Sequence, residues 1–309
     1  MTTRRNLSAL ISVAIILVAA VGCGGGDDGG GTVTSDGSST VGPFTTKAAE
    51  DFQAENPDVQ VTVGVSGTGG GFERFCIGET DISNASRQIA EDEIAICEEN
   101  GVEYVELQVV LDAMTNVVNP ENDWASCLTV EQLNAIWKPG SDVDNWNQVD
   151  SSFPDVPLSL FGPGTDSGTF DYFTDAINGE EGASRTDFSP SEDDNVIVQG
   201  VAGERGGLGY FGFTYYEENQ DRLKALEVDG GSGCVAPGVE TAQNGTYTPL
   251  SRPLFIYVSQ SSLDESDAVR DFVRFAVENA QTIAEAAQYV PMSQEQVDAQ
   301  VAKLEEAIG

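Results

Sequence analysis

Short apolar runs alternate with helical patterns along most of this 309-residue chain. In residues 59–65 a valine occupies every second position, which is the period of a β-strand. Residues 156–161 form a largely apolar run, and a helical pattern through Phe170, Phe173 and Ile177 follows soon after it. Strands that alternate with helices predict a layered architecture in which helices cover a sheet. We therefore expect an α/β protein.

The order of these elements predicts two domains rather than one. The chain leaves the first domain near residue 113 and returns to it near residue 253, so we expect a discontinuous domain I, 36–112 plus 253–309, and a domain II at 113–252. A chain of this length is sufficient for two domains. The two strands that cross between the domains would form a hinge, and ligands favour the cleft between domains that such a hinge joins.

The first residues have the features of an export signal. Basic residues at 4–5 precede an uncharged, largely apolar run at 7–21, and Cys23 follows small residues. This pattern is typical of a secretory signal, and the run is too short to span a membrane comfortably. We expect a signal peptide at 1–22, a lipid on Cys23 that anchors the protein to the outer face of the cell membrane, and a flexible tether at 23–35. A cleaved signal without a lipid, which would leave a periplasmic protein, is the alternative.

The other cysteines indicate disulfides. Cys23 aside, the chain contains Cys76, Cys97, Cys127 and Cys234. An even number of cysteines in an exported protein is typical of a disulfide framework, although the sequence leaves three pairings open. We favour Cys76–Cys97, which closes a short loop, together with Cys127–Cys234.

Charge and composition exclude several functions. The formal charge is −37, from 51 acidic and 14 basic residues, so we expect no nucleic-acid partner. The sequence has no histidine and no Cys-x-x-Cys spacing, which argues against His-based catalysis and zinc. We therefore expect no catalytic residues, no metal and no cofactor. We also expect a monomer. An anionic ligand remains compatible with this charge, because charges more than about 8 Å away are largely screened at physiological ionic strength.

Stretches of Ser, Thr and Gly precede a predicted helix at three places, 38–42, 67–71 and 166–169. Free backbone N–H groups and the positive end of the helix dipole make such a loop a potential anion site. If the loops converge, one tetrahedral oxyanion receives hydroxyl and amide donors from all of them. Three ordinary helix caps are the alternative. The predicted contacts in these loops are Ser39, Thr40, Val41, Thr68, Gly69, Asp166, Ser167, Gly168 and Thr169.

The ordered set of motifs resembles the phosphate-binding proteins that feed bacterial phosphate ABC transporters. The motifs are Gly-Ser-Ser-Thr-Val at 37–41, Val-Ser-Gly-Thr-Gly-Gly-Gly at 65–71, Thr-Asp-Ile-Ser-Asn-Ala-Ser-Arg at 80–87, Thr-Asp-Ser-Gly-Thr at 165–169, Gly-Gly-Leu-Gly-Tyr at 206–210 and Ser-Arg-Pro-Leu-Phe-Ile-Tyr at 251–257. The resemblance implies a type II periplasmic-binding-protein fold, in which two α/β domains close on dehydrated inorganic phosphate. It also implies delivery of phosphate to a membrane permease.

The same resemblance assigns roles to individual residues. Thr40 and Val41 match the first phosphate loop, Thr68 matches the hydroxyl of the second, and 167–169 match the Ser-Gly-Thr that wraps the anion. Ser86 precedes a position that is Asp in the well-studied members of the family.

This chain departs from the family pattern at two positions. The family Asp is Arg87 here, and the Arg expected before Ser-Gly-Thr falls near Pro163. We hypothesise that Arg87 supplies the guanidinium from the other side of the cleft, since its planar donors pair bidentately with oxyanions.

Selectivity then depends on another carboxylate, because a carboxylate accepts the proton of hydrogen phosphate and repels sulfate. Asp166 is the candidate, and a helix N-cap is its alternative role. Without such a carboxylate, a receptor for sulfate or molybdate becomes the alternative function. A phosphoesterase with Ser167 as nucleophile is the alternative from a different class.

Overall fold

The computed structural model describes residues 30–165 and 167–309. The predicted signal peptide, the lipidation site Cys23 and the predicted selectivity residue Asp166 therefore lie outside the described residues. None of the helices within these two ranges combines the length and the apolar character that a membrane crossing requires.

Strands and helices alternate through the described chain, as the sequence predicts. The first part contains β1 (Thr32–Gly37), α1 (Gly42–Glu55), β2 (Gln60–Val63), α2 (Gly67–Phe75), β3 (Ile82–Ala85), α3 (Glu91–Glu99) and the long strand β4 (Tyr104–Val118). The middle part contains β5 (Cys127–Thr129), α4 (Val130–Trp137), α5 (Trp146–Val149), β6 (Ser159–Pro163), α6 (Gly168–Asn178), β7 (Ser189–Ser191), α7 (Asp194–Gly203), β8 (Gly207–Gly212), α8 (Phe213–Glu218), β9 (Lys224–Ala225), β10 (Glu227–Asp229), β11 (Cys234–Val235) and α9 (Val239–Gln243). The last part contains β12 (Ser251–Ser259), α10 (Gln260–Glu265), α11 (Asp267–Glu278), α12 (Ala280–Ala286) and α13 (Gln294–Ile308).

The larger sheet is mixed and runs in the order β2-β1-β3-β12-β4-β8-β6-β7, with β9 also paired to β4. Strand β1 is parallel to β2 and β3, whereas β12 is antiparallel to both β3 and β4. A smaller sheet has the order β11-β10-β5. The predicted α/β class is confirmed.

Strands β4 and β12 connect the two halves of the larger sheet. The first part of β4 pairs with β12, and its last part, Met114 to Val118, pairs with β8. In the β4–β12 register, Arg252 lies opposite Asp112 and Ser251 opposite Ala113. The chain crosses between the halves at these positions, so the two facing side chains lie where the two halves of the sheet join.

Two apolar clusters lie on either side of this crossing. One is built from residues within 33–110 and 254–304, and the other from residues within 114–250. This distribution supports the predicted domain boundaries at 112/113 and 252/253, which stay a prediction.

The structure differs from the prediction at the end of the tether, because residues 32–35 belong to β1. Val33 is fully buried, and Thr34 donates from both its amide and its hydroxyl to Asp81 Oδ2 at 2.8 Å. The segment is short and follows a Gly-rich stretch, so its strand pattern is concealed in the sequence. Pairing with β2 and β3 on both sides is what orders it.

Both disulfides are present in the pairing that we favour. Cys76–Cys97 joins the end of α2 to α3, and Cys127–Cys234 joins β5 to β11. The first of these therefore ties α2, which opens at the second Ser/Thr/Gly loop, to its neighbouring helix.

Trp137 is a central packing residue of the second cluster. It is fully buried, and its ring contacts those of Phe173, Phe188 and Tyr210 edge-to-face at centroid distances of 5.7, 5.6 and 5.0 Å.

We expect Trp137→Ala to lower the free energy of unfolding by about 3–5 kcal/mol, because removal of the ring leaves a cavity beneath α6. Chemical denaturation measures this change. The exposed control Val196→Ala should change the value by less than about 0.5 kcal/mol, and a similar effect of both variants would contradict the packing account.

Candidate functional site

The first two predicted Ser/Thr/Gly loops line one cleft of about 370 Å³, and the third loop contacts the first at Thr40. Residues from both sides of the β4–β12 crossing line this cleft. Of the predicted site residues, those in its lining are Ser39, Thr40, Thr68, Gly69, Ser86 and Arg87. The remaining described ones, Val41, Ser167, Gly168 and Thr169, lie in the same loops without belonging to that lining.

The first loop is held by Ser38. Its Oγ accepts hydrogen bonds from the amides of Thr40 and Val41 at 3.2 and 3.4 Å, and its amide donates to the carbonyl of Asn84 in β3 at 2.9 Å. Two of the loop amides thus already have an intramolecular acceptor, so the Thr40 hydroxyl is the group this loop offers most directly. The Tyr289 hydroxyl donates to the Thr40 carbonyl and fixes the turn from behind.

The second loop presents a pair of hydroxyls. Gly67 has φ +82°, a left-handed conformation that favours glycine, and α2 begins at this residue. The Thr68 and Ser86 hydroxyls are 3.0 Å apart, and the Ser86 amide donates to Thr68 Oγ1 at 3.2 Å. The N-terminus of α2 adds a positive helix-dipole end beside these hydroxyls.

The third loop abuts the first. Ser167 caps α6, since its Oγ accepts from the Thr169 amide at 3.2 Å. A Cβ on Gly168 would lie 2.8 Å from Thr40 Oγ1, so a side chain there would have to displace Thr40. Close contact with Thr40 therefore explains the glycine in the Ser-Gly-Thr motif. It also shows that loops more than a hundred residues apart in the chain meet.

Arg252, which the sequence reasoning did not select, is the guanidinium next to this contact. Its Nη2 donates to Thr40 Oγ1 at 3.3 Å and lies 3.5 Å from Asp112 Oδ2. Its Cζ stacks 3.6 Å from the ring centroid of Tyr172 in α6. Within residues 30–165 and 167–309, Arg252 Nε is buried without a hydrogen-bond partner. The group is thus fixed by both halves of the protein and retains donor capacity.

Arg87 lies at the rim and already has a partner. Its two terminal nitrogens each donate to Glu93 at 2.8 Å, and its side chain is 47% exposed. Its predicted role as an anion ligand stays a prediction, whereas Arg252 is the cation with a direct contact to the predicted Thr40.

Carboxylates face the loops across the cleft. Asp171, Asp175 and Glu181 line it on the α6 side. Burial and the nearby Glu181 raise the pKa of Asp171, while Arg252 acts in the opposite direction. Burial also raises the pKa of Asp112 despite the nearby Arg252. The cleft therefore combines the partly buried guanidinium of Arg252 with the carboxyl of Asp171, and the carboxyl of Asp112 lies behind the guanidinium.

A comparison with known proteins agrees with this architecture. Residues 25–280 match the PBP superfamily domain. The chain is 49% identical over 266 residues to the protein SphX of Synechocystis, which covers 85% of this chain and 79% of that protein. It is 39% identical over 278 residues to the phosphate-binding protein PstS of Staphylococcus saprophyticus, covering 90% of this chain and 85% of that protein.

Solved structures show the same fold. A possible phosphate binding protein from Planctomyces limnophilus superposes with a TM-score of 0.86 at 43% identity, covering 91% of this chain and 99% of that one. PstS from Borrelia burgdorferi, at 23% identity, shares the fold with a TM-score of 0.67 over 85% of this chain and 99% of that one. The chain therefore belongs to the PBP superfamily and, within it, to the family of SphX and PstS. The predicted two-domain type II fold is confirmed.

The ion pair beneath the cleft yields a stability prediction. In Arg252→Met the buried Asp112 carboxylate loses its partner, so the free energy of unfolding at neutral pH should fall by about 3–5 kcal/mol. A carboxyl whose folded-state pKa is raised destabilises the fold as pH rises above its unfolded pKa, near 3.8, towards its folded-state pKa. The loss of unfolding free energy in Arg252→Met should therefore become smaller as the pH falls from the folded-state pKa of Asp112 towards its unfolded pKa.

Denaturation of both proteins across that pH range measures the deficit. The double variant Arg252→Met with Asp112→Asn should recover most of the loss at neutral pH. A loss that is equal at all pH values and persists in the double variant would contradict the assignment.

Proposed function

We propose that this chain binds inorganic phosphate outside the cell membrane and delivers it to the permease of an ABC transporter. The observation that carries the proposal is the position of the Arg252 guanidinium at Thr40 Oγ1, where the first and third loops touch. A cation and the hydroxyl groups of two loops, all at one cleft, are suited to binding a small oxyanion. The name of the PstS relatives, phosphate-binding protein, supports phosphate as that oxyanion.

The proposed ligand set takes its cation, Arg252, from outside the predicted residues and its other members from the predicted loops. Hydrogen bonds to an ionised group contribute roughly 1.5–3 kcal/mol each, so a few suffice for micromolar binding near −8 kcal/mol. Each donor is fixed by its own loop or strand, which reduces the ordering that binding requires. The proposed anion contacts are Ser39, Thr40, Val41, Thr68, Gly69, Ser86, Ser167, Gly168, Thr169 and Arg252, whereas Arg87 stays paired with Glu93 at the rim.

The proposed protein is a receptor and catalyses no reaction. The Ser167 hydroxyl, which a phosphoesterase would use as nucleophile, caps α6. We further propose a monomer held at the outer face of the membrane by a lipid on Cys23. An assay with a chromogenic phosphoester distinguishes a receptor from a phosphoesterase. Steady product release that disappears in Ser167→Ala would favour the enzyme.

Arg252 gives the direct binding test. Calorimetry should show one site for phosphate, and Arg252→Met should weaken the affinity at least about tenfold, because a charge-assisted contact is removed. The comparison is made in an Asp112→Asn background, which separates binding from the stability effect. Arg222→Met, an exposed arginine outside the cleft, is the control and should bind as the unchanged protein does. Equal affinities for all variants would contradict the proposal.

Selectivity is proposed to rest on a carboxylate that accepts the proton of hydrogen phosphate. Asp171 is the described candidate besides Asp166, since it lines the cleft in the first turn of α6. Sulfate has no proton to offer at neutral pH, so a facing carboxylate leaves an unpaired charge in its complex.

Asp171→Asn should therefore narrow the affinity gap between phosphate and sulfate by about tenfold, which corresponds to about 1.4 kcal/mol. Calorimetry with both anions measures the gap. Glu180→Gln removes an exposed carboxylate just after α6 that does not line the cleft, and it serves as the control that should leave the gap unchanged. An unchanged gap in Asp171→Asn would leave Asp166 as the candidate, and Asp166→Asn tests it in the same assay.

A further inference from the structure

Arg87 and Glu93 form a closed ion pair at the mouth of the cleft. Nη1 of Arg87 donates to Glu93 Oε2 and Nη2 donates to Oε1, both at 2.8 Å. Nη1 also donates to the carbonyl of Gln88 at 3.1 Å. This bidentate geometry is the same one that a guanidinium uses to bind an oxyanion, so a carboxylate occupies the Nη1–Nη2 edge of Arg87, which is one of its two bidentate edges, and neutralises its charge.

Glu93 is itself fixed in place. Its side chain is only 13% exposed, and its Oε2 accepts from the Ala90 amide at 2.8 Å at the start of α3. A Cβ on Gly69 would lie 4.0 Å from Glu93 Oε1. The carboxylate therefore lies directly beside the second loop, where its negative charge opposes an anion, and the helix cap prevents it from simply turning away.

We propose that Glu93 withholds Arg87 from the bound anion and thereby sets the affinity of the cleft below what its cations allow. This inference rests on the proposed binding of phosphate at the cleft. Ser86 and Arg87 both line the cleft, so a released guanidinium is adjacent to the Thr68–Ser86 hydroxyl pair. Arg252 supplies the permanent cation, and Arg87 is a second cation whose charge is neutralised by its partner.

The test is a double-mutant cycle on phosphate affinity by calorimetry. Glu93→Gln keeps a carbonyl oxygen for the Ala90 amide while it removes the charge. We expect Glu93→Gln to tighten phosphate binding at least about threefold, a size consistent with a half-exposed charge pair. Arg87→Ala alone should change the affinity less than about threefold, since the guanidinium is already neutralised.

The cycle separates release of Arg87 from a general loss of negative charge. In an Arg87→Ala background, Glu93→Gln should raise the phosphate affinity clearly less than it does in the unchanged protein. Asp92→Asn removes a carboxylate from the same first turn, one that acts on Arg87 through space without this bidentate pair, and should leave the affinity nearly unchanged. A gain in affinity is also a result that damage to the fold does not produce.

Three results would overturn the proposal: weaker binding in Glu93→Gln, unchanged binding, or an equal gain with and without Arg87. Weaker binding would show that Glu93 supports Arg87 as a ligand. Absence of phosphate binding in the unchanged protein is a different outcome, because it removes the proposed function and this inference with it.

Discussion

The pairing of Arg252 with Asp112 across the two crossing strands is the interaction on which the site depends. Both side chains are largely buried, with 18% and 10% of their surfaces exposed. A largely buried guanidinium needs groups that compensate its charge, and here a carboxylate, the Thr40 hydroxyl and the face of Tyr172 contact it, while Nε has no partner among the described residues. The β4–β12 register fixes the pair, so the cation is mounted on strands rather than on a mobile loop.

This arrangement explains how a strongly acidic protein can offer an anion site. With a formal charge of −37, the protein as a whole repels an anion, but distant charges are screened within about 8 Å at physiological ionic strength. Inside the cleft the nearest groups determine the electrostatic environment of an anion, and these groups are a guanidinium, hydroxyls and the N-termini of α2 and α6. Carboxyls such as Asp171 and Glu93 lie close enough to limit this attraction, and we propose that they make the site selective rather than merely cationic.

Much of this architecture could be predicted from the sequence, and the failures have physical reasons. The Ser/Thr/Gly loops were recognisable because their local composition suits helix N-termini. Arg252 was not, although its motif carried the family resemblance, because its position in the cleft depends on pairing with β4, about 140 residues away. The pairing of Arg87 with Glu93 depends on the conformation of the short segment between Arg87 and the start of α3, and β1 is ordered by neighbouring strands on both sides rather than by its own short pattern.

A crystal structure of the protein grown with phosphate tests the central claim most directly. Our account predicts one phosphate in the cleft, with an oxygen within hydrogen-bond distance of the Arg252 guanidinium and of Thr40 Oγ1, and with Asp112 still behind the arginine. A phosphate bound elsewhere on the molecule, or one in the cleft that leaves Arg252 without contact, would contradict it.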